Sequence, residues 1–244
     1  MVEFTIELAG IPAGIQARFR NTLRFCNDFL VDKAAVFSIS ISPEDIEYEQ
    51  EMFARESIVE NLPEREILEV YLERTAVQRK LAEQLFDRGV LVFHGSVVAV
   101  DGQGYLFTAK SGTGKSTHTR FWRETFGDRA VMVNDDKPFL RLTETGVLVY
   151  GSPWNGKHGL GNNICVPLKA ICILERGEAN QIRPITGQEA AMMLFQQSNR
   201  PLNPRKMPIY MDLIDQLSKK TAFYRMQCTL DPDAARVAYE EMSK

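Results

Sequence analysis

The segment Ala109-Lys110-Ser111-Gly112-Thr113-Gly114-Lys115-Ser116 sets two glycines, a lysine and hydroxyls at Walker A spacing, with Ala where that pattern begins with Gly. Glycines let successive backbone N–H groups converge on one point as an anion nest. A helix that starts directly after them aims the positive end of its dipole at the same point. Lys115 is then placed for the β- and γ-phosphates and the Ser116 hydroxyl for magnesium. On this spacing Ser111, Gly112, Thr113, Gly114, Lys115, Ser116 and Thr117 form a phosphate-binding segment.

Two carboxylates, Asp135 and Asp136, end the apolar run Ala130-Val131-Met132-Val133, 20 residues after Lys115. An acid at the end of a strand beside a phosphate loop is placed to bind magnesium. A nucleotide switch needs one such acid, whereas phosphoryl transfer to an alcohol gains from a second that takes the hydroxyl proton. Adjacent strand residues point to opposite faces, so one of the pair faces the site unless the strand ends there. His94 is placed by hairpin arithmetic. With a turn at Gly102-Gln103, paired positions sum to about 205 and set His94 opposite residue 110 or 111. A role at the γ-phosphate and an ordinary core or surface role both remain open for it, while His118 reads as structural.

Two loops supply further candidates. Gly151–Gly159 carries Trp154, Lys157 and His158, with Lys157 a phosphate partner and Trp154 a pocket floor, or the whole a surface turn. Ser198–Arg205 carries Arg200 and Arg205, which either clamp phosphate charge or belong to a plain interhelix connection.

The elements that must position these groups follow from pattern. Residues 2–8 and 35–42 alternate as strands, 12–30 reads as helical, and Ser42-Pro43-Glu44-Asp45 is a helix start. Pro63 opens a helix to about residue 88, ended by Gly89. Strands 96–100 and 104–109 flank Asp101-Gly102, a hairpin signal that feeds the glycine loop. A helix over 115–126, strands over 130–133, 137–142, 146–150, 168–175 and 222–228, and helices over 187–197, 207–219 and 231–242 complete the chain. This gives an N-terminal α+β subdomain or extension, 1–62, and a body, 63–244, that carries the glycine loop and both carboxylates.

Composition narrows the classes. The 244 residues are 44% hydrophobic and 25% charged, ordinary for a globular protein, and the net charge of −3 gives no electrostatic case for nucleic acid. Cys26, Cys165, Cys172 and Cys228 share no metal-ligand spacing and read as reduced thiols of a cytoplasmic protein. The acidic N-terminal stretch does not fit a signal peptide, and no apolar run approaches a membrane span. Self-association as a homo-oligomer is left open.

The stretch from His94-Gly95-Ser96 through Gly114-Lys115-Ser116-Thr117, followed by Val131-Met132-Val133-Asn134-Asp135-Asp136, resembles the C-terminal kinase domain of HPr kinase/phosphorylase, whose core is shared with phosphoenolpyruvate carboxykinase. The resemblance covers roughly residues 91–175. It implies an α/β fold with α+β character: a mixed twisted sheet, a β-hairpin feeding a P-loop, and flanking helices. It implies that Gly112, Gly114, Lys115 and Ser116 bind nucleotide phosphates and magnesium, that His94 is the active-site histidine, that Asp135 is the base and that Asp136 lies by the metal. Thr117 stands where HPr kinase carries Glu and follows the carboxykinase pattern. The expected activity is therefore Mg2+- and ATP-dependent transfer of the γ-phosphate to a hydroxyl of a small molecule or of a protein or peptide serine. The alternatives are a non-catalytic nucleotide-binding regulator and a carboxykinase-like lyase using Lys157 or His158.

Overall fold

The structure, a computed structural model, describes residues 1–59, 63, 66–110 and 112–244. Two compact units make up the chain, Met1–Gln84 and Leu85–Lys244. The expected boundary at residue 62 falls inside the first.

In the first unit, strands β1 (Val2–Leu8) and β2 (Ile11–Ala17) form an antiparallel hairpin, and β3 (Phe37–Ser40) adds parallel to β2. Helices α1 (Arg20–Phe25), α2 (Pro43–Val59) and α3 (Glu69–Leu85) accompany the sheet. The helix expected over 12–30 is found only in part: its first residues belong to β2, and α1 (Arg20–Phe25) with a 3-10 turn at Asn27–Phe29 makes up the rest. Ala9 and Gly10 both take positive φ, 52° and 72°, as a two-residue turn of the primed type requires. Ile11, Ala13, Ile15 and Ala17 then bury at every second position, a period the helical reading had missed. Asp45 receives hydrogen bonds from Ser42, and Arg79 and Lys80 of α3 pair with Asp45, with Arg79 also reaching Glu49. The expected α3 begins at Glu69 rather than Pro63; residues 60–62, 64 and 65 lie outside the described residues.

The second unit contains β4 (Val90–Val92), β5 (Ser96–Val100), β6 (Gln103–Thr108), α4 (Lys115–Phe126), β7 (Ala130–Asn134), β8 (Phe139–Leu142), β9 (Val147–Tyr150), β10 (Cys165–Arg176), β11 (Gln181–Ile185), α5 (Gly187–Gln197), α6 (Met207–Lys220), β12 (Ala222–Cys228) and α7 (Asp233–Met242). β11 carries no strand signal in its sequence, because its Gln181-Ile182-Arg183-Pro184-Ile185 run is mostly exposed and contains a proline. The strands run β7-β5-β6-β10-β12-β11 across a mixed sheet. The first residues of β10 instead continue into β9, β8 and β4.

Both faces of the centre of this sheet are covered, so β5, β6 and the second half of β10 are near-continuous buried runs rather than alternating ones. Val97, Ala99, Leu106, Ile171 and Ile173 face α5 and α6 with Leu194, Tyr210 and Leu217. Val98, Val100, Tyr105, Phe107, Cys172 and Leu174 face α4 and α7 with Trp122, Ala235 and Ala238. Among the described residues no helix is long and apolar enough to cross a membrane.

Candidate functional site

The β5–β6 hairpin turns on Asp101 and Gly102, with φ of 51° and 76°. Its register pairs Val100 with Gln103 and Ser96 with Phe107. This is two lower in summed position than expected, so His94 lies nearer Thr108, whose hydroxyl donates to the His94 carbonyl at 3.0 Å. β6 runs into the glycine loop and α4 begins at Lys115. Gly112 and Gly114 hold φ of 73° and 117°, the left-handed region in which any side chain is strained. Gly114 caps the helix without a side-chain acceptor, and His118 N donates back to its carbonyl at 2.9 Å. The first amides of α4 therefore face the loop mouth with no side chain among the described residues capping them. Ser111 lies outside the described residues.

The carboxylate pair stands at the end of β7, and its two members have different surroundings. Asp135 is 7% exposed and accepts the Ser96 hydroxyl at 2.6 Å, and Ser96 in turn meets Thr119 of α4 at 3.0 Å. Asp136 is half-buried, with its carboxylate 3.5 Å from His94 Nε2. Burial raises the Asp136 carboxyl above the usual range, while Lys137 and Lys115 pull it partly back. Burial, then Lys137 and Lys115, pushes His94 down to about 3, an effect that its contact with the Gln197 side chain only partly offsets. His94 is therefore a neutral imidazole at physiological pH, and its approach to Asp136 is not a charged pair. Lys115 is lowered by burial and by Lys137, and raised by Asp136 and Asp135.

The turn that presents these carboxylates is built by Asn134, a residue absent from the sequence-based site. Its fully buried side-chain oxygen accepts from the backbone N–H groups of Asp136 and Lys137 at 2.9 and 2.7 Å, and its amide donates to Ser152. An Asx turn of this kind replaces the lost strand ladder. The loop 151–164 closes over the same turn. Trp154 O accepts from Lys137 N at 3.0 Å, Asn162 N donates to Val133 O at 3.1 Å, and a Cβ on Gly156 would lie 3.3 Å from that of Asp136. Gly151 passes so close to Asn162 O that a Cβ there would overlap it at 1.8 Å. Lys157 and His158 lie exposed at the tip of this loop.

On the other side, the end of α5 pairs with the chain entering β5. His94 N donates to Gln197 O at 2.6 Å and Asn199 N to Val92 O at 2.9 Å. This places the start of the 198–205 loop beside His94, while the Arg200 guanidinium lies over the Phe195 ring, 5.4 Å from its centroid. His118 is buried, accepts the Trp122 indole N–H on Nε2 at 3.1 Å, and is held by burial at about 3, in keeping with a structural role.

Among the described residues no group of three or more His, Cys, Asp or Glu is gathered as a metal cage. The four cysteines are free.

Among solved structures the chain is similar to the Hpr(Ser) kinase/phosphatase from Coxiella burnetii, at 11% identity and a TM-score of 0.34, over 63% of this chain and 99% of that one. No curated protein matches it. The family described as SynChlorMet cassette protein ScmC matches residues 63–232, well over half of the chain, and the chain belongs to that family.

Proposed function

We propose that this protein is a Mg2+-dependent kinase that transfers the γ-phosphoryl group of ATP to a hydroxyl, carried either by a small molecule or by a protein or peptide serine. The carrying observation is the layout of one sheet edge. The end of β7, the entry to β5 and the end of β6 are neighbours there, so Asp136, His94 and the glycine loop before Lys115 share one rim. The motif resemblance to the HPr kinase and carboxykinase group points the same way.

In this reading the loop amides and Lys115 hold the donor phosphates as a P-loop. Magnesium fits the donor set, because it takes one or two carboxylates and completes its shell with phosphate oxygens and water, so a three-carboxylate cage is not required. Ser116 at the start of α4 and Asp135, one oxygen of which accepts from Ser96, would hold it. Bound there it would neutralise charge on the β- and γ-phosphates. Asp136 is assigned as base in place of Asp135. It is the more open of the two, and burial lifts its affinity for a proton toward what a base needs. The acceptor oxygen forms a bond to the γ-phosphorus, the bond to the β–γ bridging oxygen breaks, ADP leaves, and the acceptor proton passes to Asp136. Neutral His94 orients that carboxylate or the acceptor hydroxyl. A cytoplasmic setting suits an ATP-using enzyme with four free thiols.

The test is acceptor-dependent ADP formation across pooled hydroxylated metabolites and serine-containing peptides, followed by single substitutions on the acceptor found. Asp136→Asn should keep nucleotide binding and lose transfer, and Asp135→Asn should weaken Mg2+-dependent nucleotide binding. Full transfer by Asp136→Asn would make the base assignment wrong.

A further inference from the structure

The strand pairing brings a second cation to the rim. Val92 of β4 stands opposite Phe139 of β8, and Val97 of β5 opposite Asn134 of β7. Both pairs belong to one register, and two hydrogen bonds carry it across the gap between them. Phe93 N donates to Pro138 O at 3.1 Å and Gly95 N to Asp136 O at 3.0 Å. Lys137 therefore stands opposite His94. A pair set between two hydrogen-bonded pairs holds its side chains closest, with Cα atoms about 4.5 Å apart. Alternation puts His94 and Lys137 on the face that carries Ser96 and Asp135, which meet at 2.6 Å beside Thr119 of α4. Lys115 opens that same helix. After burial, the Lys137 charge is the largest influence on both His94 and Asp136, and it also acts on Lys115. Its ammonium thus lies within electrostatic reach of all three.

The backbone holds this lysine firmly while its side chain stays half-buried at the rim. Lys137 N donates to Asn134 Oδ1 at 2.7 Å and to Trp154 O at 3.0 Å, and Lys137 O accepts the Ser152 hydroxyl at 2.7 Å. Such placement has a cost. A cation beside Asp136 opposes the rise in proton affinity that a base needs, and it repels Lys115. Both penalties reverse when an anion lies between the two ammonium groups. The carboxylates do not fill that role during transfer: in the kinase reading Asp135 faces the metal, and Asp136 becomes neutral as it takes the acceptor proton. The anion that arrives between the glycine loop and Asp136 is the phosphoryl group in flight. The donor's remaining phosphates stay with the loop amides and Lys115.

We propose that Lys137 is a further catalytic residue, whose ammonium donates a hydrogen bond to a non-bridging oxygen of the γ-phosphoryl group as it passes from donor to acceptor. The proposal rests on the kinase reading and deepens it. Lys137 forms no covalent bond and gives up no proton; it neutralises charge on the phosphoryl oxygens, most strongly once the bond to the β–γ bridging oxygen is breaking. The experiment measures binding of ADP, and of ADP with aluminium fluoride, each with Mg2+, by calorimetry. The fluoride complex stands in for the phosphoryl group in flight. In the unaltered protein it should tighten ADP binding by about 10²-fold. Lys137→Met, similar in length and uncharged, should lose most of that gain and bind ADP alone as before. Lys137→Arg should restore fluoride-dependent binding to within about tenfold of the unaltered protein. The urea midpoint of Lys137→Met should not move, because the hydrogen bonds that hold this residue come from its backbone. A full fluoride gain in Lys137→Met would overturn the assignment, and so would an equal loss of ADP with and without fluoride. An unaltered protein that binds ADP but gains nothing from fluoride would overturn Lys137 while leaving the phosphate loop standing. Binding of neither would overturn the kinase reading, and the Lys137 assignment with it.

Discussion

The two flanks of the glycine loop are built on opposite principles. The carboxylate flank is tightly specified: Asn134 makes hydrogen bonds through both ends of its amide, Ser96 fixes Asp135, and the 151–164 loop is laced to β7. The other flank is a cavity of about 600 Å³ lined by Phe121, Arg176, Cys228 and Leu230 among others; it is open, with apolar walls and one direct polar tie to the loop, from Arg176 to Gly112. A group that must meet a reacting atom has to be held within a fraction of an ångström, and polar networks provide that. A surface that recognises a bound heterocycle needs shape and dryness more than direction.

Substitutions can break or sharpen this contrast. The largest effect belongs to the shared centre. Lys115→Ala should cost about 10³-fold in acceptor-dependent turnover, and retention of full turnover would remove the phosphate loop from the scheme. Next comes the carboxylate flank, where Asp136→Asn should lower kcat by about 10²-fold with little change in nucleotide affinity. Leu230→Ser on the cavity flank should do the reverse, touching affinity and sparing kcat. Equal effects of these two substitutions on both parameters would dissolve the contrast. Asn134→Ala leaves the Asp136 amide without its acceptor and the Lys137 amide with the Trp154 carbonyl alone, and should cost roughly 2 kcal/mol in urea unfolding; a change under about 1 kcal/mol would mean that the turn is held by the 151–164 loop alone.

The smallest effect is in pH. His94 and His118 are both held near 3 in the folded chain, against 6.5 for the ordinary side chain. Below 6.5 the unfolded chain takes up protons that the folded chain refuses, so stability falls with falling pH across the window from 6.5 toward 3. From pH 7 to 6 the loss should be about 0.7 kcal/mol per histidine, measured by urea midpoints. His118→Gln, which keeps an acceptor for the Trp122 indole, should remove about half of it. An unchanged pH dependence in that variant would show that His118 is protonated normally.

Much of this was legible in sequence because local signals carried it. Asp101-Gly102 specified the hairpin, the glycines specified the loop, and the helix after Lys115 kept its predicted bounds. What escaped depended on tertiary partners. Asn134 reads as one more polar residue before two acids until Ser152, 18 positions on, is seen beneath it. Ser96 opens an otherwise apolar strand, and that lone hydroxyl was the available clue that something buried needed a donor. The difference between Asp135 and Asp136 was out of reach, because it depends on a strand end, a helix side chain and a loop meeting there. The cavity was equally hidden: its walls come from three strand ends far apart in the chain.

The long strand β10 constrains how the chain can change over evolutionary time. It pairs with β9 by its first residues, then with β6 on one edge and β12 on the other. Inserting or deleting one residue in it would slip three partnerships at once and turn Ile171 and Ile173 toward the face that Cys172 and Leu174 now fill. The exposed Glu144-Thr145 turn carries no such burden. Length variation among descendants of this sequence should therefore collect in hairpin tips such as that turn, while β10 keeps its count and drifts only in the identity of its apolar residues.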